Sequence, residues 1–191
     1  MTRPLQEWHT LSSTQILHTP HLKIRREAVE LPNGVVLPDY YIIENRGWVG
    51  VVPYTSDGKF LINEQYKHGI GEKVLEFAAG GIDEGEDDPR LTAHRELMEE
   101  TGYSVEPDKL EFLTEMIVNP TGAETRCWWY LARDVRKTGE QHLDPAETIE
   151  NFLITPKELL SLIHSHRFNI QGQVDAAYMA LERLGFLKFT S

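Results

Sequence analysis

Residues 80–103 read GGIDEGEDDPRLTAHRELMEETGY. A helix starts near Asp88, with Pro89 at its first position, where the missing N–H does no harm. Gly102 ends it. At about 100° per residue, Leu91, Ala93, His94, Leu97, Met98 and Thr101 share one broad side that can face a core, whereas Glu96, Glu99 and Glu100 gather on the other. Carboxylates three and four residues apart on a helix repel one another by roughly 0.2–0.5 kcal/mol. The cluster therefore costs stability unless a cation sits on it. A hard divalent ion answers best, because Mg²⁺ takes carboxylate oxygens together with phosphate oxygens and water.

An acidic run on a helix is more often a solvated face, so RELMEE alone carries little. The ordered set carries more: a Gly-Gly turn at 80–81, Gly85-Glu86, a short spacer, Arg95-Glu96, Glu99-Glu100 and Gly102. In that order the chain resembles the Nudix hydrolase signature, a glycine, a glutamate, then R-E-hydrophobic-x-E-E-x-G-hydrophobic. Aligned from the helix end, the loop pair is Gly81 and Asp87; aligned from the loop end, it is Gly80 and Glu86 with one extra residue before Arg95. The second is preferred, because GGIDEGED matches the family loop and an extra loop residue costs little. The motif's structural members are then Gly81, Glu86, Arg95 and Gly102.

Composition sets bounds around this stretch. The 191 residues suffice for one domain with a core, or one domain plus an arm. Net charge is −11, and residues 83–100 alone hold eight acids against Arg90 and Arg95. A nucleic-acid backbone needs a basic face, so the balance points away from it. A phosphorylated small molecule fits if metal ions bridge the like charges. Cys127 is the sole cysteine, which rules out an intrachain disulfide and agrees with a reducing, cytoplasmic setting. The N-terminal segment lacks a signal-peptide core. No apolar run is long enough to read as a membrane span.

Residues 5–44 read as β structure, with candidate strands at 8–11, 15–18, 22–30 and 35–44 and a hairpin signal at Pro32-Asn33-Gly34. These strands hold few large apolar residues, so residues 1–45 are expected to form an antiparallel extension, either lying on their own domain or serving as a dimerisation arm. Residues 46–191 supply the rest: strands at 48–54, 59–67, 73–78, 110–118, 126–132 and 150–155, then helices at 156–165 and 173–184. Strands on either side of the acidic helix, with a terminal helix over the other face, predict an α/β sandwich with a mixed sheet. The Nudix resemblance implies the same α/β/α fold.

The likeness extends over GVVPYTSDGKFLINEQYKHGIGEKVLEFAAGGIDEGED, residues 50–87, which is similar to the branch acting on ADP-ribose and other nucleoside diphosphate sugars. Gln65-Tyr66-Lys67 stands where that branch tends to have Q-Y-R, and Glu76-Phe-Ala-Ala-Gly80 where it has E-x-P-A-G. Lys67 keeps the charge but loses the bidentate fork. The resemblance implies a metal set of the Ala79 carbonyl, Glu96, Glu99 and Glu100 around Mg²⁺, with Mn²⁺ as a substitute. Such ions neutralise a diphosphate and acidify water. It also implies a general base on a loop after the motif, with Glu147 favoured and Glu124 assigned to metal or substrate positioning. Arg46, Trp48, Lys67, Glu76 and Arg126 are the candidate substrate contacts, Trp48 as a stacking face with Trp8 a second choice. Trp128 and Trp129 must point to opposite faces of a strand, so one of them is core.

The expectation is thus a Mg²⁺-dependent hydrolase of a nucleoside diphosphate sugar, ADP-ribose first, working as a homodimer on a small molecule. GDP-mannose or another sugar nucleotide is the nearest alternative. A non-hydrolysing nucleotide sensor is a different class, disfavoured because such modules usually lose motif carboxylates and Glu96, Glu99 and Glu100 are all present. Cleansing of oxidised triphosphates is disfavoured by the 45 residues before Arg46.

Overall fold

A computed structural model describes residues 6–187. The start of the expected N-terminal extension, residues 1–5, and residues 188–191 lie outside the described residues. The chain divides into two compact units, one running to Gly47 and including Ile117–Arg126, the other comprising Trp48–Met116 and Cys127 onward.

The first unit is an antiparallel meander of β1 (His9–His18), β2 (Lys23–Glu30) and β3 (Val36–Glu44). The two short strands expected at its start are one, kinked by register shifts between Thr10 and Ser12 and between Gln15 and Leu17. Asn33-Gly34 makes the second turn, with Leu31 N donating to Val35 O at 2.8 Å. Gly34 stands there in the left-handed region, with a positive φ that suits glycine. Segment 117–126 adds to this unit through Ile43 N donating to Gly122 O at 2.8 Å and Glu124 N to Ile43 O at 3.1 Å. Val29 is its buried hydrophobic residue, while β1 is exposed along its whole length.

The second unit contains β4 (Trp48–Thr55), β5 (Phe60–Lys67), β6 (Glu72–Glu76), β7 (Ala79–Gly81), α1 (Pro89–Thr101), β8 (Tyr103–Ser104), β9 (Leu110–Ile117), β10 (Arg126–Lys137), β11 (Ile149–Ile154), α2 (Pro156–His164) and α3 (Gln173–Arg183). Its mixed sheet runs β11-β5-β4-β10-β8, with β6 on β5, β7 on β4 and β9 on β10. The β4–β10 pair is parallel, Cys127 opposite Trp48. Because side chains alternate across a strand, Val49 and Val51 of β4 and Tyr130 and Ala132 of β10 meet Ala93 and Leu97 of α1 on one face. The opposite face carries Trp129, fully buried, which lies edge-on to Phe77 and Trp48. Gln173 at the start of α3 is also buried there and clamps Phe77, accepting from its N–H at 2.8 Å and donating to its carbonyl at 3.2 Å. Helices on both faces of a mixed sheet make the α/β/α sandwich.

β10 runs to Lys137, past its expected end at residue 132. The polar stretch ARDVRK reads as a loop, but a bulge at Asp134, where φ turns positive, carries pairing on to β8. β8 itself is two residues long and leaves no periodic signal.

Candidate active site

Helix α1 begins as its sequence dictates. Asp88 is the cap, accepting from Arg90 N at 2.9 Å, and Pro89 follows. Gly102 closes it in the left-handed region, its N–H donating to Met98 O.

The expected division of this helix into an apolar inside and an acidic outside needs correction. The buried face is Thr92, Ala93, Glu96, Leu97, Glu100 and Thr101, while Leu91 and Met98 are 58% and 41% exposed. The reason lies outside the helix. Strand β7 crosses over the glutamates, so the arc that holds Glu96 and Glu100 faces backbone instead of water. Gly80 permits the approach: a Cβ there would lie 2.2 Å from the Glu96 carboxylate.

Burial without enough countercharge shifts both acids. Desolvation first, then its acidic neighbours, pushes Glu100 up to about 9, against a single backbone N–H from Ala79 that pulls it down. Desolvation likewise pushes Glu96 up to about 7, partly opposed by Arg95. Glu100 Oε2 accepts from Asn63 Nδ2 at 2.9 Å and Ala79 N at 3.2 Å, both neutral donors. Arg95 serves the other acids. Its Nη1 lies 2.8 Å from Glu96 Oε1 and 2.8 Å from Glu99 Oε2, and its Nε donates to Glu86 Oε1 at 3.0 Å. Glu86 also accepts from Thr92 Oγ1 at 3.0 Å and is held down to about 2, chiefly by the Arg95 hydrogen bonds. Asp87 is exposed. Glu86, the acid of the loop-end alignment, is thus the one seated on Arg95.

The strand residues add a third buried acid. Glu76 is buried, raised by desolvation and opposed by Lys67, whose Nζ lies 2.8 Å from Glu76 Oε1. Glu147, on the loop between β10 and β11, raises Glu76, Glu96 and Glu100 through its charge. In this structure its carboxylate accepts from Asp144 N at 3.1 Å. Hence Ala79, Glu76, Lys67, Glu96, Glu99, Glu100 and Glu147 all belong to one carboxylate-rich region of the second unit.

Three expected site residues belong to the first unit. Glu124 is ion-paired with Arg25, and Arg46 and Arg126 are exposed. Trp48 is half-buried, its ring edge-on to Trp129 at 5.5 Å between centroids. Trp8 is 48% exposed and meets Tyr40 edge-on. Trp128 is the half-buried member of its pair, donating to Glu115 Oε2 at 3.2 Å.

Sequence reasoning passed over Asn63, Gln141 and Asn151, which contact Glu100 by side chain or by its carbonyl. Asn63 left a trace: in FLINEQYK it takes the same strand face as Leu61, a polar residue on a core side. Gln141 sits in a segment without periodicity, and Asn151 lies in the short strand expected at 150–155, whose pattern does not tell what its side chain meets.

All the donors here are oxygens, as a hard cation prefers. Among the described residues no three His, Cys, Asp or Glu side chains are arranged to hold a metal ion. Yet the residues fit one: Gly80 lets the Glu96 carboxylate lie against its backbone, where any side chain would displace it, and among the described residues Glu100 is buried with only neutral donors on its carboxylate.

The NUDIX domain model matches residues 45–174, and a model of the nucleoside diphosphate sugar hydrolase N-terminal domain matches residues 8–43. The chain belongs to the Nudix hydrolase family. It is 32% identical to a methanol dehydrogenase activator of Bacillus methanolicus over 93% of this chain and 95% of the relative. It is also 32% identical to an ADP-ribose pyrophosphatase of Bacillus subtilis (strain 168), over 83% and 84% respectively. The crystal structure of an ADP compounds hydrolase superposes with a TM-score of 0.83 at 23% identity, covering 97% of this chain and all of that one, a likeness of fold. No described helix is long and apolar enough to cross a membrane.

Proposed function

We propose that this protein hydrolyses the diphosphate bond of a nucleoside diphosphate sugar, ADP-ribose first, with Mg²⁺ as cofactor and Mn²⁺ as a substitute. The observation that carries the reading is the burial of Glu96 against Gly80 and of Glu100 beside Ala79, with only neutral donors on the Glu100 carboxylate among the described residues. Glu96, Glu99, Glu100 and the Ala79 carbonyl would hold the ion. Bound there, it supplies neutralisation of the diphosphate and a more acidic water. Glu147 takes the proton of the attacking water, which adds to one phosphorus while the bridging P–O bond breaks. The products are a nucleoside monophosphate and a sugar phosphate.

Arg95 orients Glu96 and Glu99 and stays off the substrate, since its fork is occupied by Glu86. Lys67, Glu76 and Trp48 make the substrate contacts within the second unit. The N-terminal sheet, with β1 exposed throughout, is the dimerisation arm. The lone Cys127, buried, agrees with work in the cytoplasm. Substrate class is supported by the N-terminal model's description and by the Bacillus subtilis relative's name.

A second reading follows from the Bacillus methanolicus relative, matched over nearly the whole of both chains: the protein acts on a partner enzyme as an activator. The test is a release assay with Mg²⁺ and ADP-ribose, GDP-mannose, ADP-glucose, CDP-choline and an oxidised dGTP. Preferential AMP release from ADP-ribose supports the proposal, and preference for another sugar nucleotide moves the specificity. Binding without turnover of any of them rejects the enzyme reading in favour of a sensor.

A further inference from the structure

Glu147 sits on the loop of residues 142–148, and one side chain ties the two ends of that loop together. Gln141 Nε2 donates to the Glu100 carbonyl at 2.7 Å and to the Ile149 carbonyl at 3.2 Å. Both of its hydrogens are thereby used. The first acceptor lies in the last turn of α1 and the second opens β11. Asn151 Nδ2 takes the other lone pair of the Glu100 carbonyl at 3.1 Å.

Neighbouring backbone extends the seam. His142 N donates to Glu99 O at 2.8 Å, and Thr138 N and Gly139 N to Gly102 O at 2.9 and 3.1 Å. The last carbonyls of a helix have no partner within it. Here the root of the Glu147 loop satisfies them. Gly102 permits the fit, because a Cβ there would stand 2.4 Å from Gly139 O. Beyond the root, the loop is held by its own turn, Glu147 N donating to Asp144 O at 2.9 Å and Asp144 N to the Glu147 carboxylate.

We propose that Gln141 is a positioning residue, fixing the root of the 142–148 loop to the carbonyl end of the glutamate helix so that Glu147 is delivered at a set distance from Glu96 and Glu100. The inference rests on the reading of Glu147 as the proton acceptor. Without the two bonds of Gln141, the loop root is held by backbone contacts alone and the reach of Glu147 varies, while the helix glutamates keep their own partners.

Four variants test it: Gln141→Met, of the same length and without a donor; Gln141→Lys, which restores a donor; Glu147→Gln; and the double variant Gln141→Met/Glu147→Gln. With Mg²⁺ and ADP-ribose, Gln141→Met is expected to lower kcat by about tenfold or more, with KM within about twofold. Gln141→Lys recovers most of that loss. The double variant turns over no more slowly than Glu147→Gln, since the two residues act through one step. In the metal-free protein, amide exchange within 142–148 rises in Gln141→Met while β4 and β5 stay protected.

Unchanged exchange together with near-normal kcat overturns the proposal, as does a double variant whose losses multiply. If Glu147→Gln keeps full turnover, the base assignment fails, and the exchange experiment alone then decides the clamp. Should Gln141→Met not fold, Gln141→Asn, one methylene shorter and able to reach one carbonyl at most, carries the same comparisons.

Discussion

Arg25 and Arg95 each gather three glutamates, and the two clusters do opposite things with them. Around Arg25 stand Glu27 at 2.8 Å, Glu44 at 3.0 Å and Glu124, on side chains that keep contact with water. Glu44 is pulled below the ordinary carboxylate range by Gln15 and Arg25. Around Arg95 stand Glu86, Glu96 and Glu99, but Glu100 lies beyond its reach, 3% exposed, and is pushed up instead. The count of charges is similar and the burial is not. An arginine among solvated acids staples two strands and a loop together. An arginine beside buried acids leaves one of them, Glu100, without a countercharge, so that in the metal-free chain it is pushed towards its neutral form, a shift that a bound cation would reverse.

The largest effect is expected of Glu100→Gln. Turnover should fall by about a hundredfold or more, while the melting temperature holds or rises because a neutral amide is cheaper to bury than a carboxylate. Near-normal kcat would remove Glu100 from the site. Next in size, Arg95→Met should cost about tenfold in kcat through the misplacement of Glu96 and Glu99, whereas Arg25→Met should lower stability with kcat little changed. Equal losses of kcat in the two variants would erase the distinction.

Two glycines sharpen it further. A Cβ at Gly80 meets the flexible end of Glu96, and one at Gly50 meets the Trp129 ring at 2.3 Å. Gly50→Ala is therefore expected to cost stability by about 1–3 kcal/mol, as an overpacked core does. Gly80→Ala should leave the melting temperature nearly unchanged yet depress kcat, because it turns Glu96 aside. Thermal melts and initial rates on both variants separate the two effects.

The smallest effect is a dependence on pH. Glu96 and Glu100, at about 7 and about 9 in the folded chain, stand above the ordinary 4.5, so folding takes up protons there. Their contribution to the metal-free protein is complete below about pH 4.5 and declines as pH rises through about 7 and about 9. Glu86, held at about 2, acts in the other sense, stabilising above about pH 4.5 and losing that contribution as pH falls towards 2. Melts of the chelator-treated protein across this range should show the alkaline decline, and Glu100→Gln should flatten its upper limb.

Much of this was legible in the sequence, because periodicity and punctuation report on single elements. Pro89 and Gly102 mark α1 at both ends, and β4, β5 and β6 follow their alternating or apolar runs, whereas Gly80-Gly81, expected as a turn, pairs with Trp48 and Val49 as part of β7. What periodicity missed depends on a neighbour. A helical wheel separates Glu96 and Glu100 from Leu97, but only β7 decides that both groups are covered, while Leu91 and Met98 face outward. The same holds for Glu86 against Asp87, adjacent acids told apart by the place of a guanidinium, and for Gln141, whose two acceptors come from different elements.

The parallel register of Trp48 with Cys127 has a consequence for the order in which the molecule assembles. Parallel neighbours need a long crossover, and here the connecting chain contains α1 itself. A pairing between residue 48 and residue 127 must meet its loop-closure entropy before it returns any contact energy, which makes it slow. Hairpin β5–β6 and helix α1 are local and carry no such delay. The apolar side of α1, where Ala93 and Leu97 meet Tyr130 and Ala132 of β10, is therefore expected to close late on the folding path, after the helix and the local strand pairs have formed.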